Sequence, residues 1–199
     1  MNRNLEELYS DLNLSVRKII KNELVPKGKN SGCDMIQHGY HNIYDNYLKP
    51  YRNKTINLCE IGILCGDKLV IFNEYFKDAT LYGYDINIDI IKKYQPIEFL
   101  NKIHIKKVDS KKKKETDLIK EKFDILIDDG CHLPASIIST FNNFYDKINV
   151  GGIYVIEDIS SQRLKIVSAF LNDSNIKFKY EINPILSDCG IIIIQKKSS

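Results

Sequence analysis

The sequence has no tryptophan, no C-x-x-C pair, no G-x-G-x-x-G turn and no apolar run approaching the roughly 20 residues that cross a bilayer. Each absence removes a class of protein. The longest apolar run, residues 190–194 with their neighbours, is strand-sized, so no membrane partner is expected. Cys33, Cys59, Cys65, Cys131 and Cys189 stand singly, without the spacing of a zinc ribbon or a redox pair, and no multiple-His set replaces them. The polar opening Met-Asn-Arg-Asn-Leu-Glu-Glu is unlike a signal peptide, and together with the scattered thiols it sets the expectation of a reduced, cytoplasmic compartment. Charge of one sign is also scarce: 29 basic against 26 acidic residues gives +3, too mild and too dispersed for a nucleic-acid groove. The one block, residues 111–114, follows a strand and precedes a helix, which suits a solvated loop. What is present is 199 residues, 43% hydrophobic and 28% charged, enough for one soluble domain with a full core.

Apolar positions at Leu5, Leu8, Leu12, Val16, Ile19, Ile20 and Leu24 have a spacing that predicts one or two amphipathic helices ending near Pro26. Residues 26–34 are turn-forming, and a helix carrying Tyr44, Asp45, Tyr47 and Leu48 follows, ending at Pro50-Tyr51. From Thr55 onward apolar strands alternate with amphipathic stretches. Strands are expected at 56–61, 80–85, 103–108, 124–128 and 151–157, with helices around 66–76, 87–95, 115–121, 134–147 and 161–171. Two final strands, 176–182 and 191–196, have no room for a helix between them and must pair antiparallel. The expectation is a single domain over 1–199: an N-terminal helical or lid segment, 1–50, ahead of a Rossmann-like core, 51–199. That core is an α/β, doubly wound, three-layer sheet of seven strands with an antiparallel last strand.

Chemistry in such sheets collects at the carboxyl ends of the strands. The first strand leaves through Glu60, Gly62 and Gly66, an E-x-G-x-x-x-G turn in which glycine lets the backbone approach a ligand closely. The second ends at Asp85, about 20 residues on, where a carboxylate can accept both hydroxyls of a ribose. The third ends at Asp109 and Ser110, placed to reach an adenine edge. Bulky Ile63 and Leu64 stand where a pyrophosphate would need glycine, so a nucleoside ligand without a pyrophosphate fits better. The fourth strand, within residues 124–132, runs into Asp128, Asp129, a Gly130-Cys131 turn and His132, and Asp158 closes the fifth.

Taken together, His38-Gly39-Tyr40, Tyr44-Asp45, Pro50-Tyr51-Arg52, Glu60-Ile61-Gly62, the segment from Asp128 to His132 and that from Gly151 to Asp158 resemble the class I S-adenosylmethionine-dependent methyltransferases. Within them the chain is most similar to the metal-dependent sugar O-methyltransferases of macrolide biosynthesis. The resemblance spans about residues 34 to 160 and implies S-adenosyl-L-methionine and Mg2+ as cofactors. It implies Asp45, Asp129 and Asp158 as metal ligands, His132 as general base with Asp129 beside it, and a sugar or glycoside as acceptor. Tyr40, Glu60, Gly62, Gly66, Asp85, Asp109, Ser110 and Asp128 fall on the cofactor side, Tyr40 with His41 being placed to close over cofactor or acceptor. A homo-oligomer is compatible with it.

Blander readings compete residue by residue. Asp128-Asp129 alone is as readily a strand-ending turn as a site, and Glu157-Asp158 a helix cap; joined to His132 they favour a site. Cys131 replaces a small serine in the turn, and Tyr44 and Tyr47 are packing residues. The alternatives in function are a methyltransferase for a non-sugar small molecule and a non-catalytic cofactor-binding protein of the same fold.

Overall fold

The computed structural model describes residues 3–12, 17–20, 23–26, 35, 36, 38–182 and 190–198. The chain divides into two compact units, Met1–Thr55 with Asp67–Asp78, and Ile56–Gly66 with Ala79–Ser199.

In the first unit, helix α1 (Leu5–Leu12) begins with a reciprocal cap. The Glu7 N–H donates to the Asn4 side chain at 2.8 Å, and the Asn4 N–H donates to the Glu7 carboxylate at 2.8 Å, so two donors that a helix start leaves orphaned are satisfied. The helix is described as far as Leu12, and the helix expected to run on toward Pro26 is overturned over 17–20 and 23–26, while 13–16, with Val16, lie outside the described residues. Strands β1 (Arg17–Ile20) and β2 (Glu23–Pro26) pair antiparallel instead, with Ile20 opposite Glu23. Ile19, Ile20 and Val25 are β-branched; they lose rotamer freedom in a helix and suit a strand, which a period count does not weigh. The turn-forming stretch after Pro26 lies outside the described residues until Met35. Helix α2 (Tyr40–Leu48) follows Gly39, whose φ of 72° supplies the left-handed entry, and runs into a 3-10 turn at Lys49–Tyr51. Helix α3 is Asp67–Tyr75. Arg52 ties this unit together: its Nε donates to the Tyr75 carbonyl at 3.1 Å and its guanidinium lies 4.5 Å from the Tyr75 ring centroid.

The second unit carries β3 (Thr55–Ile61), β4 (Asp78–Asp85), α4 (Asp89–Tyr94), α5 (Ile97–Leu100), β5 (Ile103–Lys107), α6 (Lys113–Thr116), β6 (Phe123–Asp128), α7 (Pro134–Phe144), β7 (Ile148–Ile159), α8 (Ser161–Asp173), β8 (Lys179–Ile182) and β9 (Gly190–Gln195). Its seven strands lie in the order β5-β4-β3-β6-β7-β9-β8. β6 is parallel to β3 and β7, and β4 to β5, while β9 runs antiparallel to both its neighbours. This is the expected doubly wound sheet with an inverted final strand. The register aligns Ile61 with Asp128, Asp128 with Ile156, and Asp85 with Lys107, so the polar strand ends form one row along the carboxyl edge.

Most helices lie where the pattern puts them; the stretch 115–121 does not. Its helix is the single turn α6, because the Thr116 hydroxyl and the Lys120 ammonium take the Lys113 and Asp117 carbonyls at 3.0 and 2.7 Å, side-chain bonds that compete with helix propagation. On one face of the sheet, Phe123, Leu126, Tyr154 and Ile156 bury against Ile137 and Phe141 of α7 and Val167 and Leu171 of α8. Each such side chain contributes about 1.5–3 kcal/mol by leaving water. Among the described residues no helix is long and apolar enough to cross a membrane.

Candidate active site

The exit of β3 is built around Gly62. Its N–H donates to the Tyr84 carbonyl at 2.8 Å, its φ is 85°, and a Cβ there would meet the Asp129 carbonyl carbon and the Gly130 Cα at 2.7 Å each. The glycine is therefore required by the backbone leaving β6, and the Asp129 N–H extends the ladder by donating to the Ile61 carbonyl at 2.9 Å. Glu60, two residues earlier on β3, is buried. Gly66, at φ 78°, lies against the Ile91 side chain of α4, which a Cβ would overlap. Between them Leu64 adopts φ 46°, a left-handed conformation uncommon for a leucine.

That loop is pinned from β4. Asp85 accepts from the Leu64 N–H at 3.1 Å on one oxygen and from the Asn87 N–H at 2.8 Å on the other, which fixes the carboxylate while leaving lone pairs for a ligand. Asp109 sits in a local network: its N–H donates to Glu115 at 2.8 Å, and Lys112 lies 3.6 Å from its carboxylate and 3.1 Å from that of Glu115. Lys113 pairs with Asp117 at 2.8 Å, so part of the basic block is spent on surface pairs next to the loop. Ser110 shares a 2.8 Å hydrogen bond with Thr140 of α7, and its carbonyl accepts from the Asn143 amide at 2.9 Å.

At the end of β6 the two adjacent aspartates separate. Asp128 is buried, accepting from the Gly130 N–H at 3.3 Å and the Tyr154 hydroxyl at 3.4 Å. Burial pushes its carboxyl up to about 7 against the pull of those two bonds, with the Glu157 charge adding to the rise. Asp129 turns outward and is partly exposed, as are His132 and Asp158. The His132 Nε2 stands 3.9 Å from Asp129 Oδ1 and 3.7 Å from Asp158 Oδ2. Between them Cys131 is exposed, its thiol held below the ordinary range by a hydrogen bond from Ser136 and then by the Leu133 N–H.

Asp158 reaches this point through an irregularity. β7 and β9 pair Ile156 with Ile192 and then Ile159 with Gly190, so Glu157 and Asp158 together face the single residue Ile191. The extra residue is a β-bulge, and Asp158 has φ 55°. The bulge keeps Ile156 and Ile159 in the same core although they are an odd number of positions apart, and releases Asp158 toward Asp129 and His132. Among the described residues Asp129, His132 and Asp158 offer ligand atoms that all lie within 4.8 Å of one another. Separations of 3.7 and 3.9 Å are too long for hydrogen bonds and suit ligands held about 2.1 Å from one ion, which at most stand about 4.2 Å apart.

The structure thus brings Asp129, His132 and Asp158 together and sets Glu60, Gly62, Gly66, Asp85, Asp109, Ser110 and Asp128 along the strand ends beside them. Tyr40 and Asp45 lie on α2 of the first unit. Tyr40 is fully buried, edge-on to His38. The Asp45 carboxylate accepts from the Leu5 N–H at 3.4 Å and stands near the Tyr75 phenol, whose pKa is raised by burial first and by Asp45 second. His132 stands outside the ligand set expected from the sequence, and the bulge lies in a strand buried without break over residues 152–157, whose pattern carries no sign of it.

No family model matches the chain. Two curated relatives are the 8-demethyl-8-alpha-L-rhamnosyl tetracenomycin-C 2'-O-methyltransferase of Streptomyces olivaceus, 27% identical over 134 residues, and the mycinamicin VI 2''-O-methyltransferase of Micromonospora griseorubida, 30% identical over 132. The matches cover 62% and 61% of this chain but 34% and 32% of those proteins, so the chain spans about a third of the relatives' length. Among solved structures, the MycE methyltransferase from the mycinamycin biosynthetic pathway, in complex with Mg and SAH, superposes with a TM-score of 0.69 at 20% identity over 99% of this chain and 55% of that one. A ribosomal protein L11 methylase from Lactobacillus delbrueckii subsp. bulgaricus reaches 0.65 at 12% identity, covering 94% of this chain and all of that one. The fold is that of the class I methyltransferases, one that carries unlike acceptors.

Proposed function

We propose that this chain is an S-adenosylmethionine-dependent O-methyltransferase acting on a hydroxyl of a sugar, with a divalent cation, Mg2+, held by Asp129 and Asp158. The observation that carries the reading is the convergence of Asp129, His132 and Asp158 at the ends of β6 and β7, beside the row of carboxylates on β3 and β4. The sugar as acceptor class draws on the named relatives, whose similarity covers 62% and 61% of this chain. The family resemblance adds Asp45 to the ligand set and Tyr40 to the cofactor side of the same proposal.

When bound, the cofactor supplies an electrophilic methyl group and the cation a positive charge that favours the deprotonated form of a nearby hydroxyl. The protein's own part is alignment and proton removal. Asp85, fixed by the Leu64 and Asn87 amides, orients the ribose, and the Gly62 turn leaves the loop close to the ligand. Asp129 and Asp158 are hard oxygen donors, each partly exposed. His132 takes the hydroxyl proton on Nε2, and the two carboxylates near that atom stabilise the imidazolium that results. Buried Asp128 supports the turn through Gly130.

The test is methyl transfer from S-adenosylmethionine to rhamnosides, deoxysugar glycosides and nucleotide sugars, alongside phenols and amines, with Mg2+ and with a chelator. Transfer to a glycoside that stops on chelation is expected. Turnover on phenols or amines alone, or turnover indifferent to chelation, would overturn the reading.

A further inference from the structure

We infer that Arg163 and Tyr180 are positioning residues that hold the β-bulge in the shape that delivers Asp158 to the site. The inference rests on the metal reading above and concerns residues that touch neither cofactor nor substrate.

The bulge needs such support. Asp158 at φ 55° occupies a left-handed region that strains a non-glycine residue, and a bulge interrupts the ladder that would otherwise fix the chain. Two consecutive carbonyls there are taken by side chains. Arg163, in the first turn of α8, donates from its Nη1 to the Asp158 carbonyl at 2.9 Å, while its own N–H bonds the Ser160 cap at 3.4 Å. Tyr180, on β8, donates its hydroxyl to the Ile159 carbonyl at 3.1 Å. The tyrosine reaches across β9 over Gly190, the residue opposite Ile159, where a Cβ would overlap the Tyr180 ring. The bulge is thus gripped from the helix that follows it and from the strand two places away.

The placement of Arg163 is not explained by its helix. A cation in the first turn opposes the positive end of the helix dipole, and no acidic residue accompanies it there. Near a cation site a guanidinium also acts against metal binding by its charge. Removing it should therefore tighten metal binding if charge were its only effect and loosen it if position is what it supplies.

The experiment uses the full chain and four variants, Arg163→Met, Arg163→Lys, Tyr180→Phe and the pair Arg163→Met with Tyr180→Phe. Binding of Mg2+ and, separately, of S-adenosylhomocysteine is measured by calorimetry, with hydrogen exchange of the segment 157–160 and a thermal melt on each protein. Mg2+ affinity should fall about tenfold in Arg163→Met, less in Tyr180→Phe and further in the pair, recovering in part in Arg163→Lys. S-adenosylhomocysteine affinity should stay within about twofold, and exchange at 157–160 should quicken. Unchanged or tighter Mg2+ binding with unchanged exchange in folded variants overturns the positioning role. If the parent protein binds no divalent ion, the metal reading itself fails, and the clamp is then decided by exchange alone: faster in the variants upholds it, unchanged removes it.

Discussion

Gly62 and Asp129 leave no room for a side chain between them: a Cβ on the glycine would lie 2.7 Å from the aspartate's carbonyl carbon. The first glycine of the β3 turn therefore sets how closely the β6 exit passes, and through it where the Asp129 carboxylate stands. Gly62→Ala should cost about 3 kcal/mol, combining strain at φ 85° with overpacking. The variant's Mg2+ affinity should fall as well, because Asp129 is the residue displaced. Denaturant melts and metal titrations check both effects. A variant as stable as the parent would show that the backbone relaxes there without strain.

The buried Asp128 makes stability depend on pH in a direction opposite to the usual carboxylate. Its folded pKa, about 7, lies above the unfolded value of 3.8, so between these limits the folded state binds the extra proton. Its contribution is most favourable below about pH 4 and is lost as pH rises toward 7, at up to about 1.4 kcal/mol per pH unit within the window. Asp128→Asn keeps the shape without the charge. In chelator, its stability relative to the parent should climb between pH 4 and 7 and level off above; a difference that does not vary with pH would place the charge outside the buried site.

Cysteine reactivity should follow the same environments. Burial drives the Cys59 thiol well above its ordinary range, and Cys65 is buried too, whereas Cys131 is exposed with its thiolate favoured by Ser136 and the Leu133 N–H. Iodoacetamide on the folded protein should label Cys131 ahead of Cys59 and Cys65, as peptide mapping would read. Cys131→Ser keeps the hydrogen-bonding turn and should leave methyl transfer within about threefold.

Much of the core was legible because buried parallel strands announce themselves as apolar runs that stop at polar residues. β3, β4, β6 and β7 all do so, and expected site residues lie at or beside their last positions: Glu60 and Gly62, Asp85, Asp128 and Asp129, and Asp158. The short gap before the final strand likewise forced the inverted β9. What escaped was either a competition between propensities or a contact between distant residues. Ile19, Ile20 and Leu24 match a helical period yet lie in a strand pair. Thr116 and Lys120 stopped a helix by side-chain bonds that periodicity does not register. The bulge at Asp158 and the grips of Arg163 and Tyr180 involve backbone carbonyls and cross-strand register, for which a lone sequence has no motif. The turn motif marks Gly62 as space for a ligand, whereas its contact with Asp129 exists only where the exits of β3 and β6 lie side by side.

His132 has two roles open to it that predict different measurements. Its Nε2 lies between Asp129 and Asp158, close enough to join them on an ion and equally placed to receive a proton from a hydroxyl beside one. As a general base it is needed in the chemical step and not for holding the cation. On that assignment His132→Ala should lower kcat by about 10²–10⁴-fold while Mg2+ affinity changes little, and the acidic limb of the parent's pH–rate profile should disappear. As a ligand, its loss should weaken Mg2+ binding at least tenfold and saturating Mg2+ should restore much of the rate. We expect the first pattern, because two aspartates already supply the hard donors that Mg2+ prefers and a neutral imidazole adds least to such a set. Rescue of His132→Ala by excess Mg2+ would reverse the assignment.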